Sequence, residues 1–334
     1  MRLRSKIAIG AAAVAAVIAT TAAAFPPVPV DQPQPFPALT AQALGARYGT
    51  DSRMIAQDAR AASRSGHQGL ARELDALRGE HFIDFNSRGQ GLAVEVIGNL
   101  AQATRVAVIV PGSDTTLATF DSRGTASPGG AAAALAAQAR KLDPGAHLAV
   151  IAWLGYATPA TLSPGVLTSG DAGQGAAALR TFTGDLARGG RQVALICHSY
   201  GSVVCGLAAS NLPVTDIAVV GSPGMDAASA ATLHTTARVW AGRGTSDWIR
   251  YAPHVQFLGL GFGPDPMNPA FGARVFDAGD GGHSGYFRPG SVSLRNLAYI
   301  ALGDPGRVTG IPGATAAAPS TRAIETTSAI GGAR

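Results

Sequence analysis

Continuous apolar runs separated by stretches of helical spacing constrain this chain more than any other feature. Arg105–Val110 (RVAVIV), Leu148–Trp153 (LAVIAW) and Gln192–Cys197 (QVALIC) are continuously apolar after at most one leading polar residue, rather than at every second residue. A strand wetted on one face alternates, whereas a strand buried on both faces does not. Shorter runs at Ile217–Val220, Ala237–Ala241 and Ala273–Phe276 continue the series. Between and after them, Ala131–Lys141, Gly173–Arg188, Ser202–Ser210 and Ser291–Ala301 read as helices. Strand–helix alternation of this kind predicts an α/β fold, a mostly parallel sheet with helices on both faces. Ahead of it, residues 40–78 have helical spacing through Leu44, Met54, Ile55, Leu70, Leu74 and Leu77. Phe82–Phe85 and Gly91–Ile97 then read as a strand pair turned by Asn86-Ser87-Arg88-Gly89.

The ends of the chain differ from this body. Arg2, Arg4 and Lys6 precede an Ala-rich apolar run from Ile7 to Ala24. Ala22-Ala23-Ala24 then supplies small residues before Phe25-Pro26-Pro27, the three-part pattern of a secretory signal. The alternative is an uncleaved anchor, since the run approaches membrane-spanning length. The small-residue site and the scarcity of Leu favour cleavage. Residues 25–37 hold six prolines and read as an extended linker. Asp304–Arg334 is mostly Gly, Ala, Thr, Ser and Pro and reads as a flexible low-complexity tail. One domain over 38–303 remains, and its expected location is secreted or in the cell envelope. The net charge of +5 bears on partners. Removing residues 1–24 takes three positive charges and no acid, leaving +2. Arginines are scattered rather than interleaved with aromatics, so no nucleic-acid partner is expected.

In parallel sheets, chemistry collects beyond the carboxyl ends of the strands. After QVALIC comes Cys197-His198-Ser199-Tyr200-Gly201-Ser202, and then a helical run. Small residues on either side of a serine at a strand-to-helix junction permit a sharp turn that exposes the hydroxyl. Cys197 stands where this pattern most often has glycine. Ser199 as nucleophile requires a base and an orienting acid. Of His234, His254 and His283 downstream, His283 lies in the flexible Asp280–Gly285 loop between the last strand and the last helix. His234 falls in a helical stretch and His254 follows a proline. Asp247 follows the Ala237–Ala241 strand and is the expected acid, with Asp226 and Asp277 in competition. An acyl-transfer site also needs two N–H donors for the oxyanion. Tyr200 supplies one, and Ser113, in the Pro111-Gly112-Ser113-Asp114 turn after RVAVIV, is the expected second. The neighbouring His198 is expected to pack away from the reacting face.

The motifs VIVPGSDTT, ICHSYGS, AVVGSPGMD, GPDP with FGARVF, and GGHSGYF cover roughly residues 80 to 300. Through them the chain resembles an actinobacterial α/β-hydrolase family catalogued as a domain of unknown function. The resemblance implies a Ser–Asp–His hydrolase, with Ser199, Asp247 and His283 in its motifs, and implies no substrate.

A secreted ester hydrolase acting on a lipid or other acyl ester is the leading expectation. The same triad used as an amidase, peptidase or acyltransferase is the second, and a non-catalytic envelope-binding protein the third. The loop 155–172 and the loop 258–270 are expected to wall the site. Trp153, Trp248, Phe262 and Phe271 are candidates for an apolar acyl pocket or for core packing. About sixteen residues between the Ile217 and Ala237 strands leave no room for a large helical lid. No cofactor or metal ligand set is expected: the glycines from 259 to 263 lack a dinucleotide-binding context, and the histidines lack metal spacing. Cys197 and Cys205 are the only cysteines. A disulfide between them and a pair of buried thiols are both open.

Overall fold

The computed structural model describes residues 36–122, 124–161, 163–256 and 260–311. The expected signal segment, most of the linker, and the tail beyond residue 311 lie outside the described residues. Eight strands form one sheet: β1 (Phe82–Asn86), β2 (Leu92–Ile97), β3 (Arg105–Val110), β4 (Leu148–Leu154), β5 (Gln192–His198), β6 (Asp216–Val220), β7 (Arg238–Gly242) and β8 (Arg274–Phe276). Their spatial order is β1-β2-β4-β3-β5-β6-β7-β8. β1 and β2 are antiparallel, β2 meets β4 antiparallel, and all pairings from β4 to β8 are parallel.

The apolar runs fill both faces of this sheet. On β3, Val106, Val108 and Val110 join one core cluster, while Ala107 and Ile109 join the other. The first cluster is closed by helices α4 (Gly170–Ala187) and α5 (Gly201–Ala208), the second by α3 (Pro128–Leu142) and α6 (Val292–Leu302). Burial of both faces explains the absence of period-two alternation in these strands.

The helical stretch over 40–78 is two helices, α1 (Ala41–Arg64) and α2 (Gln68–Ala76), divided at Gly66, whose φ of 80° ends the first. Thr40 caps α1 by accepting the Ala43 N–H. No helix among the described residues is long and apolar enough to cross a membrane.

At the carboxyl end, residues 304–311, assigned by composition to the tail, pack on α6. Asn296 hydrogen-bonds the Thr309 backbone and hydroxyl, and Arg307 lies over the Tyr299 ring at 4.5 Å.

Candidate active site

The parallel strands deliver the expected site residues to one end of the sheet. β5 ends at His198 and α5 begins at Gly201, so Ser199 sits in the turn between them with φ of 54°. A non-glycine residue in this left-handed region is uncommon and persists only where its surroundings enforce it. Here the Ser199 N–H donates to the Val220 carbonyl at 3.0 Å, tying the turn to β6. Glycine is required at 201, because a Cβ there would lie 2.5 Å from the Val110 carbonyl oxygen. Gly112 is equally constrained: a Cβ would meet the Ser199 Cβ at 2.7 Å. Cys197 ends the buried part of β5, and its sulfur is bonded to Cys205 on α5 with the Cα atoms 6.5 Å apart. The strand and helix flanking Ser199 are thus joined covalently.

Ser199, His283 and Asp247 meet. The Ser199 hydroxyl reaches His283 Nε2 at 2.9 Å. His283 Nδ1 stands 3.0 Å and 3.1 Å from the two Asp247 carboxylate oxygens. With Nδ1 donating to the carboxylate, Nε2 is left as acceptor, the tautomer that receives a serine proton. Asp247 is fully buried and caps the 3₁₀ turn Trp248–Tyr251 by accepting the Ile249 N–H. Burial pushes its carboxyl up, but hydrogen bonds from His283, Tyr286 and Ile249 outweigh that, holding it below the usual carboxylate range. The competing acids are elsewhere engaged. Asp226 accepts from Ser169 and Gln256, and Asp277 accepts the Gly279 N–H.

Among the described residues, neither the Tyr200 N–H nor the Ser113 N–H donates to a protein acceptor. Both residues line the same cleft as Ser199. The turn carrying Ser113 is fixed from outside. The Asp114 N–H donates to the Pro159 carbonyl, the Thr115 N–H to the Thr158 hydroxyl, and the Tyr156 hydroxyl to the Pro111 carbonyl at 2.9 Å.

His198 departs from its expected packing role. It lines the cleft, and its Nε2–H donates to the His283 backbone carbonyl at 2.7 Å. Burial first, and the neighbouring His283 second, push its pKa down to about 4, so the ring stays neutral and able to hold that carbonyl. Tyr286 is the other residue that sequence reasoning passed over. Its hydroxyl donates to Asp247 Oδ2 and accepts the Gly244 N–H. Burial and the adjacent Asp247 push its pKa up, which keeps it a donor. The signal for Tyr286 was its place three residues after His283 in GGHSGYF.

The cleft has a volume of about 660 Å³. Thr161, Val166 and Leu167 wall one side and Leu260–Phe262 the other, as expected of these two loops. The four candidate aromatics divide: Trp248 and Phe262 line the cleft, while Trp153 and Phe271 belong to the core. The Tyr200 hydroxyl donates to the Thr168 carbonyl at 2.7 Å and accepts the Ala172 N–H, anchoring the first wall to the turn that holds Ser199. His234 ends a three-residue 3₁₀ turn instead of lying in a helix. His254 hydrogen-bonds the Pro223 carbonyl and takes no part in the Ser199 cluster.

Residues 86–257, just over half the chain, match the alpha/beta hydrolase family. The chain belongs to the alpha/beta hydrolase family. The match includes Ser199 and Asp247 and ends before His283. An uncharacterized protein of Mycobacterium tuberculosis, in strains CDC 1551 and H37Rv, is 34% identical over 251 residues. That match covers 64% of this chain and 37% of each relative, so the chain spans little over a third of the curated relatives it matches. Among solved structures, a dienelactone hydrolase from Anabaena variabilis is 16% identical with a TM-score of 0.45, covering 69% of this chain and 98% of its own. A serine hydrolase without lid from Xanthomonas campestris is 14% identical with a TM-score of 0.40, covering 67% and 93%.

Proposed function

We propose that this protein is a serine hydrolase that cleaves carboxylic esters through an acyl-enzyme. The observation that carries the reading is the continuous hydrogen-bonded chain from the Ser199 hydroxyl through His283 to buried Asp247. His283 Nε2 takes the Ser199 proton as Oγ attacks the ester carbonyl, and Asp247 stabilises the imidazolium that forms. The Tyr200 and Ser113 amides, with no acceptor of their own, receive the oxyanion. His283 then protonates the leaving alcohol. Water, deprotonated by the same imidazole, releases the acyl group and restores Ser199. His198 and Tyr286 act through others: one holds the His283 backbone, the other the Asp247 carboxylate.

An apolar acyl group is favoured by the wall residues Val166, Leu167, Leu260 and Phe262 beside Ser199. An extracytoplasmic location is supported by the export pattern of residues 1–24 and by the Cys197–Cys205 disulfide, since disulfides persist in oxidising compartments.

The test is turnover of p-nitrophenyl esters of increasing acyl length. Wild type is expected to hydrolyse them with a burst of p-nitrophenol, and Ser199→Ala to lose at least about 10³-fold in kcat. Equal turnover by Ser199→Ala, or cleavage confined to amides, contradicts the reading.

A further inference from the structure

Seven large hydrophobic side chains are exposed among the described residues, and five of them gather at one place. Leu167, Trp248, Val255 and Leu260 line the mouth of the Ser199 cleft, and Tyr251 stands on the same 3₁₀ turn as Trp248. They are between 54% and 82% exposed. Scattered single hydrophobics need no explanation, but a group of five around one opening marks an interaction surface. The two sides of the rim are joined, since the Gly261 N–H donates to the Leu167 carbonyl at 3.1 Å.

The rim's chemistry narrows what covers it. Trp and Tyr beside aliphatic residues are the side chains that settle where apolar and wet phases meet. Segments 163–169, 248–256 and 260–263 contain no carboxylate. Arg250 is the one guanidinium on them. It lies 5.7 Å from the Tyr251 ring centre and donates to the Thr245 carbonyl. The acids of neighbouring loops are engaged: Asp114, which also lines the cleft, accepts from the Thr161 N–H and hydroxyl, Asp226 pairs with Ser169 and Gln256, and Asp265 with Arg243. Position narrows it further. A protein partner or a second copy seated on these five residues closes the cleft that holds Ser199, whereas a lipid layer covers them and feeds the cleft.

We propose that this rim docks the protein on an anionic lipid surface, with Trp248, Tyr251, Val255, Leu260 and Leu167 inserted at the headgroup–acyl boundary and Arg250 against the headgroups. The surface would then supply its ester directly to the cleft. The supply of substrate rests on the ester-hydrolase reading; the docking does not, and so it is tested without catalysis.

Trp153 and Trp240 are already buried, so a change in tryptophan emission reports Trp248. Ser199→Ala protein is mixed with vesicles of phosphatidylcholine, with and without phosphatidylglycerol, and followed by flotation and fluorescence. The expected result is flotation with the phosphatidylglycerol vesicles and a blue shift. Leu260→Asp and, separately, Tyr251→Asp are expected to weaken partitioning at least about tenfold at unchanged melting temperature. Arg250→Gln is expected to cost about fivefold on anionic vesicles alone. Absence of flotation, flotation unaltered by both Asp substitutions, or equal binding to neutral vesicles overturns the proposal. So does lipid-free self-association abolished by the same substitutions, which would assign the rim to a second copy. Absence of ester turnover by the wild type, with docking intact, would count against the hydrolase reading alone.

Discussion

The residue scale separates groups proposed to do chemistry from groups that hold them. That Ser199, His283 and Asp247 would meet was legible in sequence, because the proposed nucleophile, acid and base must appear in a fixed chain order after particular strands. His198 and Tyr286 were not. A histidine beside the serine and a tyrosine after the histidine look in sequence like any buried aromatic, and only the fold shows which oxygen each reaches. Two findings give His198 a measurable role: its hydrogen bond to the His283 carbonyl and its depressed pKa. His198→Phe keeps a ring but removes the donor. Loss of one such bond is expected to lower kcat about tenfold with KM within about twofold, and His198→Gln, which can still donate, to recover part of it. The pH dependence has a definite sign. The folded pKa of about 4 lies below the ordinary 6.5, so the folded state binds fewer protons between these values. Stability from this group is present above about pH 6.5 and is lost as pH falls toward 4. His198→Phe should flatten that acid slope in a melting-temperature series. An unchanged slope and unchanged kcat would return His198 to a packing role.

Elements were read from period and position, and the parallel strands were the clearest. Continuous apolar runs mark them, and both core clusters draw on each of β3, β4 and β5. Helix starts were less clear. α3 begins at Pro128 and α4 at Gly170, each a few residues before the first residue with helical spacing. Proline fits the first helical position, yet a Pro-Gly-Gly string reads as a loop when only apolar period is used. The junction of β5 and α5 carries the most consequence, because the disulfide spans it. Its cysteines are separated by eight positions. A cross-link over so short a loop is expected to contribute about 2.5 kcal/mol by the chain-entropy relation. The Cys197→Ala/Cys205→Ala variant should therefore melt roughly 4–5 °C lower. An unchanged melting temperature would mean that packing alone fixes the junction. The sequence left this bridge open, since spacing alone does not place two Cα atoms within bonding range.

For the whole molecule, one sheet gathers residues from distant stretches into a single cleft. The 111–116 turn, the 155–172 loop, the Ser199 turn, the 3₁₀ turn that follows Asp247 and the His283 loop all meet there. Family membership and fold follow from the body of the chain, while substrate and location remain proposals built on the cleft and on residues 1–24. The apolar rim was invisible in sequence, because the gathering of Leu167, Trp248, Tyr251 and Leu260 depends on how the 163–169, 248–256 and 260–263 segments converge. The central claim is that Ser199 is an activated nucleophile. Its most direct test is intact-protein mass measurement after exposure to a fluorophosphonate, with peptide mapping of the adduct. The account predicts one adduct per chain, on the peptide containing His198-Ser199-Tyr200-Gly201. It also predicts no adduct in Ser199→Ala and slow labelling in His283→Ala. An unlabelled wild type, or an adduct on another residue, would contradict it.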